Sequence, residues 1–357
     1  KNPWLTSPTH SALVPVGTTH SLFASVSGPL RTPNAPLLIF FTGAGGPSAL
    51  YTGVQRQLSP YIRCLFYDRA GYDRSTLPAD QTQILCTDTA RDLRRLLVET
   101  ELEGPYLLVA HSFGGIVART FLQECGEGKV GGMLLFDTAT ELMLALIARF
   151  PPPEIMAVGK DVDLAALTHL QRDAGFSDAE WAYAIEATER TGYALSLEDT
   201  HASAHELAMH RQIDNKAFGT RPLTVVQCNI ASDYQLLYDE GVKLGGGTEE
   251  EREVSRRFIE KTRIYHGQIA RAQCGLSGDV EFTYFGEWKH DLPIRRPRMV
   301  VEMVRELLKR MGVVGQKGWG AAEVMSKAVL EDEKEDGGLT REMEGKRFPN
   351  PAMSFLG

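Results

Sequence analysis

The chain contains six short apolar runs, rich in β-branched or aromatic residues, separated by longer segments with helical periodicity. The runs are PLLIFFT (36–42), IRCLFYD (62–68), YLLVAH (106–111), GGMLLFD (131–137), PLTVVQC (222–228) and VEFTYFG (280–286). Most are apolar on both faces, which is typical of strands covered by helices on both sides. Helical patterns over 82–103, 113–125 and 297–311 lie between or after them. This alternation predicts an α/β fold with a doubly wound, mostly parallel sheet and right-handed crossovers.

Two regions depart from this alternation. In residues 11–28, apolar and polar residues alternate more than in the six runs, and this pattern predicts an antiparallel hairpin at an edge of the sheet. Between Asp137 and Pro222 there is no convincing strand, and the segments there have helical character. We therefore expect a helical cap inserted into the core. The expected division is a first part of the core (1–140), the helical cap (141–220), a second part of the core (221–311) and a C-terminal extension (312–357).

Composition excludes several classes of function. The chain has 357 residues, 43% hydrophobic and 24% charged, the profile of an ordinary globular protein. Its net charge is −8 and no block of Lys and Arg stands out, so we expect no nucleic-acid partner. No run approaches transmembrane length, so integral membrane association is not expected. The five scattered cysteines and the lack of a signal-peptide core favour a reducing, cytoplasmic location.

The run YLLVAH ends at a histidine and a serine, and two glycines follow. Ser112 therefore stands at a strand-to-helix turn, where a sharp elbow would expose its hydroxyl at the strand's C-terminal end. Gly114 and Gly115 would remove Cβ atoms that otherwise collide with neighbouring elements. The stretch AHSFG (110–114) resembles the nucleophile motif G-x-S-x-G of the α/β-hydrolase family, with alanine at the first glycine. The order of elements extends the resemblance over about residues 11–311.

A serine hydroxyl is a weak nucleophile without a base. The resemblance implies that the base is a histidine between the last strand and the last helix, and His290 stands there. An acid should orient its imidazole ring. The family's commonest arrangement favours Asp233, after the strand that follows the insertion, whereas some members use the position of Asp137, at the end of the preceding strand. Both give the order serine, acid, histidine, and both remain candidates.

The loop IFFTGAGGPSALY (39–51) follows an early strand, and its glycines would let the backbone approach a ligand closely. It is similar to the family's His-Gly loop. The resemblance implies that the backbone N–H groups of Ala44 and Phe113 form an oxyanion hole. His111 adjoins the serine, with a side chain expected to point away from it along the strand. The candidate substrate-binding residues near the site are Gly43, Gly45 and His111.

A second turn, FYDRAGYDRST (66–76), resembles the family's D-x-x-G-x-G-x-S turn. We interpret Asp68 and Arg69 as structural, and Asp73 stands where glycine is usual, which suggests an altered turn. The segment HELAMH (205–210) is one residue too long for the zinc motif H-E-x-x-H. It therefore fails as a zinc motif, and the serine hydrolase mechanism expected for this chain needs no metal and no cofactor.

These features together predict a serine hydrolase with a Ser-His-Asp triad, acting on an ester or lactone of a small to medium apolar molecule through an acyl-enzyme. The cap would act as a lid, with apolar residues available to line a cavity: Leu142, Leu146, Trp181, Tyr183 and Ile185. The alternatives are amide, thioester or carbon–carbon bond hydrolysis on the same triad. A cofactor-free lyase or a ligand receptor on this fold also remains open.

Overall fold

The computed structural model describes residues 1–126, 128–147 and 149–313. One eight-stranded sheet forms its centre, in the order β1-β2-β4-β3-β5-β6-β7-β8. The strands are β1 (Thr9–Pro15), β2 (Ser21–Ser27), β3 (Leu37–Phe41), β4 (Cys64–Tyr67), β5 (Tyr106–His111), β6 (Val130–Phe136), β7 (Pro222–Cys228) and β8 (Asp279–Phe285).

Strands β1 and β2 form the expected antiparallel hairpin, and β2 also runs antiparallel to β4. From β4 through β3, β5, β6 and β7 to β8, all neighbouring strands are parallel. The six predicted strands are confirmed with their ends shifted by two residues at most. The predicted fold class, a doubly wound and mostly parallel sheet, is therefore confirmed.

Helices connect the strands and cover the sheet. They are α1 (Pro3–Thr6), α2 (Thr52–Leu58), α3 (Cys86–Glu99), α4 (Gly114–Cys125), α5 (Glu141–Leu146), α6 (Pro153–Val158), α7 (Leu164–Leu167), α8 (Leu170–Asp173), α9 (Asp178–Leu197), α10 (Thr200–Met209), α11 (Ile230–Lys243), α12 (Glu249–Ala272), α13 (Leu292–Arg295) and α14 (Pro297–Arg310), with 3₁₀ turns at Ser48–Tyr51 and Gln273–Leu276.

The core lies in two layers, one on each face of the sheet. Alternate residues of a strand point to opposite faces. In β3, Leu37, Ile39 and Phe41 pack with residues of α3 and α4, whereas Leu38 and Phe40 pack with residues of α2 and α14. All five side chains are almost completely buried, which explains why this run is apolar without alternation.

Six helices, α5 to α10, lie between β6 and β7, where the sequence predicted an insertion; no strand lies in the described part of that segment. We call α5 to α10 the helical insertion. Its first helix is tied to the core by Glu141, whose carboxylate accepts two hydrogen bonds from the fully buried Arg119 of α4 (2.5 and 2.7 Å). Gln212, after α10, accepts a third from the same guanidinium (3.2 Å).

Within the described residues, no helix has both the length and the apolar character needed to span a membrane. The five cysteines are free thiols. Of the predicted C-terminal extension, 312–357, only the first two residues fall within the described part of the chain, and α14 ends just before it.

Candidate active site

Ser112, the predicted nucleophile, lies at a tight turn between β5 and α4. Its φ of 55° places it in the left-handed region, which costs a non-glycine residue about 1–2 kcal/mol. Neighbouring backbone holds it there: its N–H donates to the Phe136 carbonyl (3.1 Å) and its carbonyl accepts from the Ala139 N–H (2.9 Å). Such strain persists only where the surroundings enforce it, and it is frequent at functional sites.

The two glycines after this turn are needed for packing. A Cβ atom on Gly114 would lie 2.3 Å from the carbonyl oxygen of Phe41, and one on Gly115 would lie 2.4 Å from Cβ of Thr138. Neither distance is compatible with a side chain. The glycines therefore let α4 begin directly against the ends of β3 and β6.

His290 follows β8 and brings its ring to Asp137. Nδ1 of His290 lies 2.7 Å from Oδ2 of Asp137, so the proton on this nitrogen is donated to the carboxylate. The other carboxylate oxygen accepts the Cys228 N–H (2.8 Å), and Nε2 of His266 lies 3.3 Å from it. Asp137 itself has a φ of 46°, directly after β6. Three long-range contacts thus fix this buried carboxylate.

Electrostatics favour the charged carboxylate in this pair. Burial would raise the pKa of Asp137, but the positive charges of His266 and His290 and the hydrogen bond from His290 outweigh it and lower this pKa to about 2. Burial would also lower the pKa of His290, yet the hydrogen bond and negative charge of Asp137 raise it above the usual histidine value. The imidazole is accordingly a stronger base than an isolated histidine.

Asp233, in the first turn of α11, also contacts His290, but at its backbone. Its Oδ2 accepts the His290 N–H (2.8 Å), and Lys289 Nζ lies 3.9 Å from Oδ1. Burial raises the pKa of Asp233 to about 6. The two candidates for the triad acid therefore occupy different places. Asp137 contacts the ring of His290, whereas Asp233 contacts the main chain of the loop that carries His290.

The side chain of His111 is buried and hydrogen-bonded within the protein. The Gly43 N–H donates to Tyr51 Oη (3.2 Å), so the Tyr51 hydroxyl is free to donate to Nδ1 of His111 (2.8 Å). Nε2 of His111 then donates to the carbonyl of His290 (2.8 Å). Burial, followed by the charge of His290, lowers the pKa of His111 to about 3, so the ring is neutral.

Both ring nitrogens of His111 are thus engaged by protein groups, which leaves no nitrogen for the substrate contact that the sequence suggested. The ring is buried, and its two hydrogen bonds go to Tyr51 and to the main chain of His290. The contacts instead join the Gly-rich loop to the His290 loop. No local sequence signal identified Tyr51 as the link, because its partner is 60 residues away.

The Gly-rich loop lies against Ser112, since a Cβ atom on Gly43 would be 3.2 Å from Ser112 Cβ and 3.6 Å from Ser112 Oγ. Within the described residues, the backbone N–H groups of Ala44 and Phe113 have no hydrogen-bond acceptor. Ala44 is exposed and Phe113 caps the N-terminus of α4. These two donors belong to the residues that follow Gly43 and Ser112 in the chain, and their part in an oxyanion hole stays a prediction.

The second turn, residues 66–76, supports the Gly-rich loop through the buried side chains of Asp68 and Arg69. The Asp68 carboxylate accepts the Ser48 N–H (2.6 Å), and burial raises the pKa of Asp68 to about 7. The Arg69 guanidinium donates to carbonyls of the Gly-rich loop. Asp73 has a φ of 43°, so it adopts the left-handed conformation that glycine would favour there. These contacts agree with the structural interpretation of Asp68 and Arg69.

One concavity among the described residues lies within the helical insertion. It has a volume of about 410 Å³ and includes Trp181, Ile185 and Phe176 on its wall. Ser112 and His290 do not line it. Of the other apolar residues expected to line a cavity, Leu142, Leu146 and Tyr183 are exposed. The described residues contain no cluster of three metal-ligating side chains.

The parallel sheet, the serine elbow and the histidine after the last strand define this protein's class. The chain belongs to the alpha/beta hydrolase family, whose model matches residues 38–302. An AB hydrolase superfamily protein of Gibberella zeae is 28% identical over 333 residues, covering 86% of this chain and 98% of that protein. The protein named "Probable transporter efuK" of Hormonema carpetanum is 31% identical over 315 residues, covering 87% of this chain. This chain spans 44% of the length of efuK.

Solved structures share the fold. A Pseudomonas aeruginosa protein provisionally assigned as an epoxide hydrolase superposes with a TM-score of 0.57 at 16% identity, over 86% of this chain and 98% of that one. Cfl2 from Burkholderia cenocepacia gives a TM-score of 0.54 at 17% identity, over 84% and 95% of the two chains. At this level of identity the likeness concerns architecture alone, and the chemistry has to be argued from the site.

Proposed function

We propose that this protein is a serine hydrolase in which Ser112 is the nucleophile, His290 the general base and Asp137 the acid that orients the base. The hydrogen bond of 2.7 Å between Nδ1 of His290 and Oδ2 of Asp137 carries the proposal. It leaves Nε2 as the nitrogen available to take a proton from Ser112. The family membership of the chain and the strained turn at Ser112 support the same assignment.

In the proposed mechanism, Ser112 Oγ attacks the carbonyl carbon of the substrate while Nε2 of His290 accepts the hydroxyl proton. The negative charge that develops on the carbonyl oxygen is stabilised by the N–H groups of Ala44 and Phe113. His290 then delivers its proton to the leaving group, which departs and leaves an acyl-enzyme. A water molecule, deprotonated by His290, attacks this ester; the acyl–Oγ bond then breaks, and His290 returns the proton to Ser112 Oγ as the acid product leaves.

Asp137 acts by holding His290. A carboxylate at Nδ1 fixes the tautomer in which Nε2 is the acceptor, and it stabilises the imidazolium that forms during attack. Asp233 has a supporting place in this proposal, because its carboxylate accepts the main-chain N–H of His290 and so positions the loop. Ester and lactone carbonyls are the proposed substrate class, since a base-activated serine and an oxyanion hole are sufficient to cleave them.

A panel of p-nitrophenyl esters and simple lactones tests the activity, with Ser112→Ala as the control. We expect turnover by the wild type and loss of about 10⁴-fold or more in kcat on substitution. Activity that survives in Ser112→Ala would contradict the assignment of the nucleophile. Tight binding of such compounds with no turnover would favour a ligand receptor on the same fold.

A further inference from the structure

A carboxylate from the helical insertion reaches the back of the Gly-rich loop. Glu198 follows directly after α9, and its Oε1 accepts a hydrogen bond from Nε of Arg69 (2.8 Å). Each side chain is only 3% exposed. A buried ion pair of this kind leaves a costly unpaired charge if one partner is lost, so the two groups constrain each other's position.

Arg69 in turn forms hydrogen bonds with the peptide groups beside Ser112. Its Nη1 donates to the carbonyl of Thr42 (2.8 Å), and its Nη2 donates to the carbonyl of Gly43 (3.0 Å). In a trans peptide the carbonyl and the next N–H point in opposite directions. Holding the Gly43 carbonyl against Arg69 therefore sets the direction of the Ala44 N–H, one of the two proposed oxyanion donors.

Tyr72 also links Glu198 to the Gly-rich loop. Its Oη accepts hydrogen bonds from the Gly45 N–H (2.9 Å) and from Arg69, and its hydroxyl proton goes to Oε2 of Glu198 (2.8 Å). Both oxygens of Glu198 therefore accept hydrogen bonds from the residues that contact the loop: Oε1 from Arg69, and Oε2 from Tyr72 and, at 3.4 Å, from Arg69. The loop also meets the insertion by packing, since a Cβ atom on Gly45 would lie 3.0 Å from a methyl group of Leu195.

We propose that Glu198 is a positioning residue through which the helical insertion holds the oxyanion loop, residues 42–46, in its catalytic conformation. This inference rests on the proposed serine hydrolase activity. It predicts that Glu198 affects transition-state stabilisation more than substrate binding, because the group it aligns contacts the substrate oxygen only as negative charge develops there.

The test compares Glu198→Gln with Arg190→Ala. Arg190 lies on the same helix, α9, and forms an ion pair across to the core at Asp73 (2.5 Å) without contacting the oxyanion loop. Removing it weakens the attachment of the insertion while leaving the loop's partners intact. Arg190→Ala is therefore a matched control for a merely structural role of Glu198.

The readouts are kcat and KM for p-nitrophenyl butyrate and the inhibition constant of a trifluoromethyl alkyl ketone, which forms a tetrahedral oxyanion on the serine. We expect Glu198→Gln to lower kcat by about 10- to 100-fold, less than outright removal of an oxyanion donor. Ketone affinity should fall by a similar factor, while KM changes by less than about threefold. Arg190→Ala should leave kcat and ketone affinity within about twofold of wild type. Equal effects of the two variants on kcat and ketone affinity would overturn the proposal.

If Glu198→Gln does not fold, Tyr72→Phe provides a second variant. It removes the hydroxyl that joins Gly45 to Glu198 but keeps the ion pair between Arg69 and Glu198. The same loss of kcat and ketone affinity is expected, and unchanged values would overturn the proposal.

Hydrogen exchange of the loop peptide, 42–46, separates this inference from the proposed function. Faster exchange in Glu198→Gln than in Arg190→Ala supports the positioning role even if no ester is hydrolysed, and equal exchange contradicts it.

Discussion

At the scale of single residues, two acids approach one histidine, and the atoms they contact separate their roles. Asp137 meets the imidazole ring of His290, whereas Asp233 meets its main-chain N–H. We therefore expect Asp137→Asn to lower kcat by about 10³- to 10⁴-fold, because an amide cannot hold the same tautomer or stabilise the imidazolium. Asp233→Asn should cost about 10-fold or less. Steady-state kinetics with a p-nitrophenyl ester checks both, and a larger loss in Asp233→Asn would reverse the assignment.

The pH dependence follows from the same pair. The negative charge of Asp137 raises the pKa of His290, and the ring must be unprotonated to accept the Ser112 proton. The value of kcat/KM should therefore fall as pH decreases through the His290 pKa, with a midpoint above the ordinary histidine value of about 6.5. In Asp137→Asn the residual activity should have its midpoint at lower pH. A midpoint that does not move with this substitution would contradict the coupling.

The sequence predicted Ser112 and His290 because each stands at a recognisable junction of elements, but it left the acid open for a physical reason. Strands β6 and β7 are parallel neighbours, so Asp137 and the start of α11 with Asp233 both lie at the same edge of the sheet. Which carboxylate meets the ring depends on how the His290 loop is held. That loop is fixed by His111 from a position 179 residues earlier.

At the scale of secondary-structure elements, the strands were predictable because β3 to β7 are buried on both faces and show it as unbroken apolar runs. The elbow was predictable as well, since Gly114 and Gly115 stand where no Cβ fits. The partner of Arg69 was not, because Glu198 lies 129 residues away and nothing in the local pattern marks it.

The start of α4 gives a stability prediction. Gly115→Ala should destabilise the protein by about 1–3 kcal/mol, because the new methyl group would lie 2.4 Å from Thr138 Cβ and force α4 away from β6. Gly192→Ala is the matched control: this exposed glycine of α9 has open space around it. It should stabilise the helix by about 0.5–1 kcal/mol. Urea denaturation measures both, and a neutral Gly115→Ala would contradict the close packing at the elbow.

At the scale of the whole molecule, ion pairs attach the helical insertion to the core at several places, including Arg119 to Glu141, Arg69 to Glu198 and Arg190 to Asp73. The first is bidentate, and its arginine is completely buried. These long-range pairs hold the insertion beside the proposed active site. None of these pairings was foreseen from the sequence, because the two partners of each pair lie on separate elements of the chain.

The buried pair between Arg119 and Glu141 makes this attachment testable. Glu141→Ala should destabilise the protein by about 3–5 kcal/mol, because it leaves the Arg119 charge buried without a counter-ion. The double variant Arg119→Met with Glu141→Leu removes both charges and should recover most of that loss. Chemical denaturation of the wild type, the single and the double variant provides the comparison. A double variant as unstable as the single one would contradict this explanation.

The central claim is that Ser112 is an activated nucleophile, and labelling with a fluorophosphonate probe tests it most directly. Such a probe reacts with a serine only where a base and an oxyanion hole increase its reactivity. The wild type and Ser112→Ala are treated in parallel, and the adduct is located by mass spectrometry of the digested protein. We expect one adduct, at Ser112 in the wild type, and none in Ser112→Ala. A wild type that remains unlabelled, or an adduct at another serine, would contradict the proposed function.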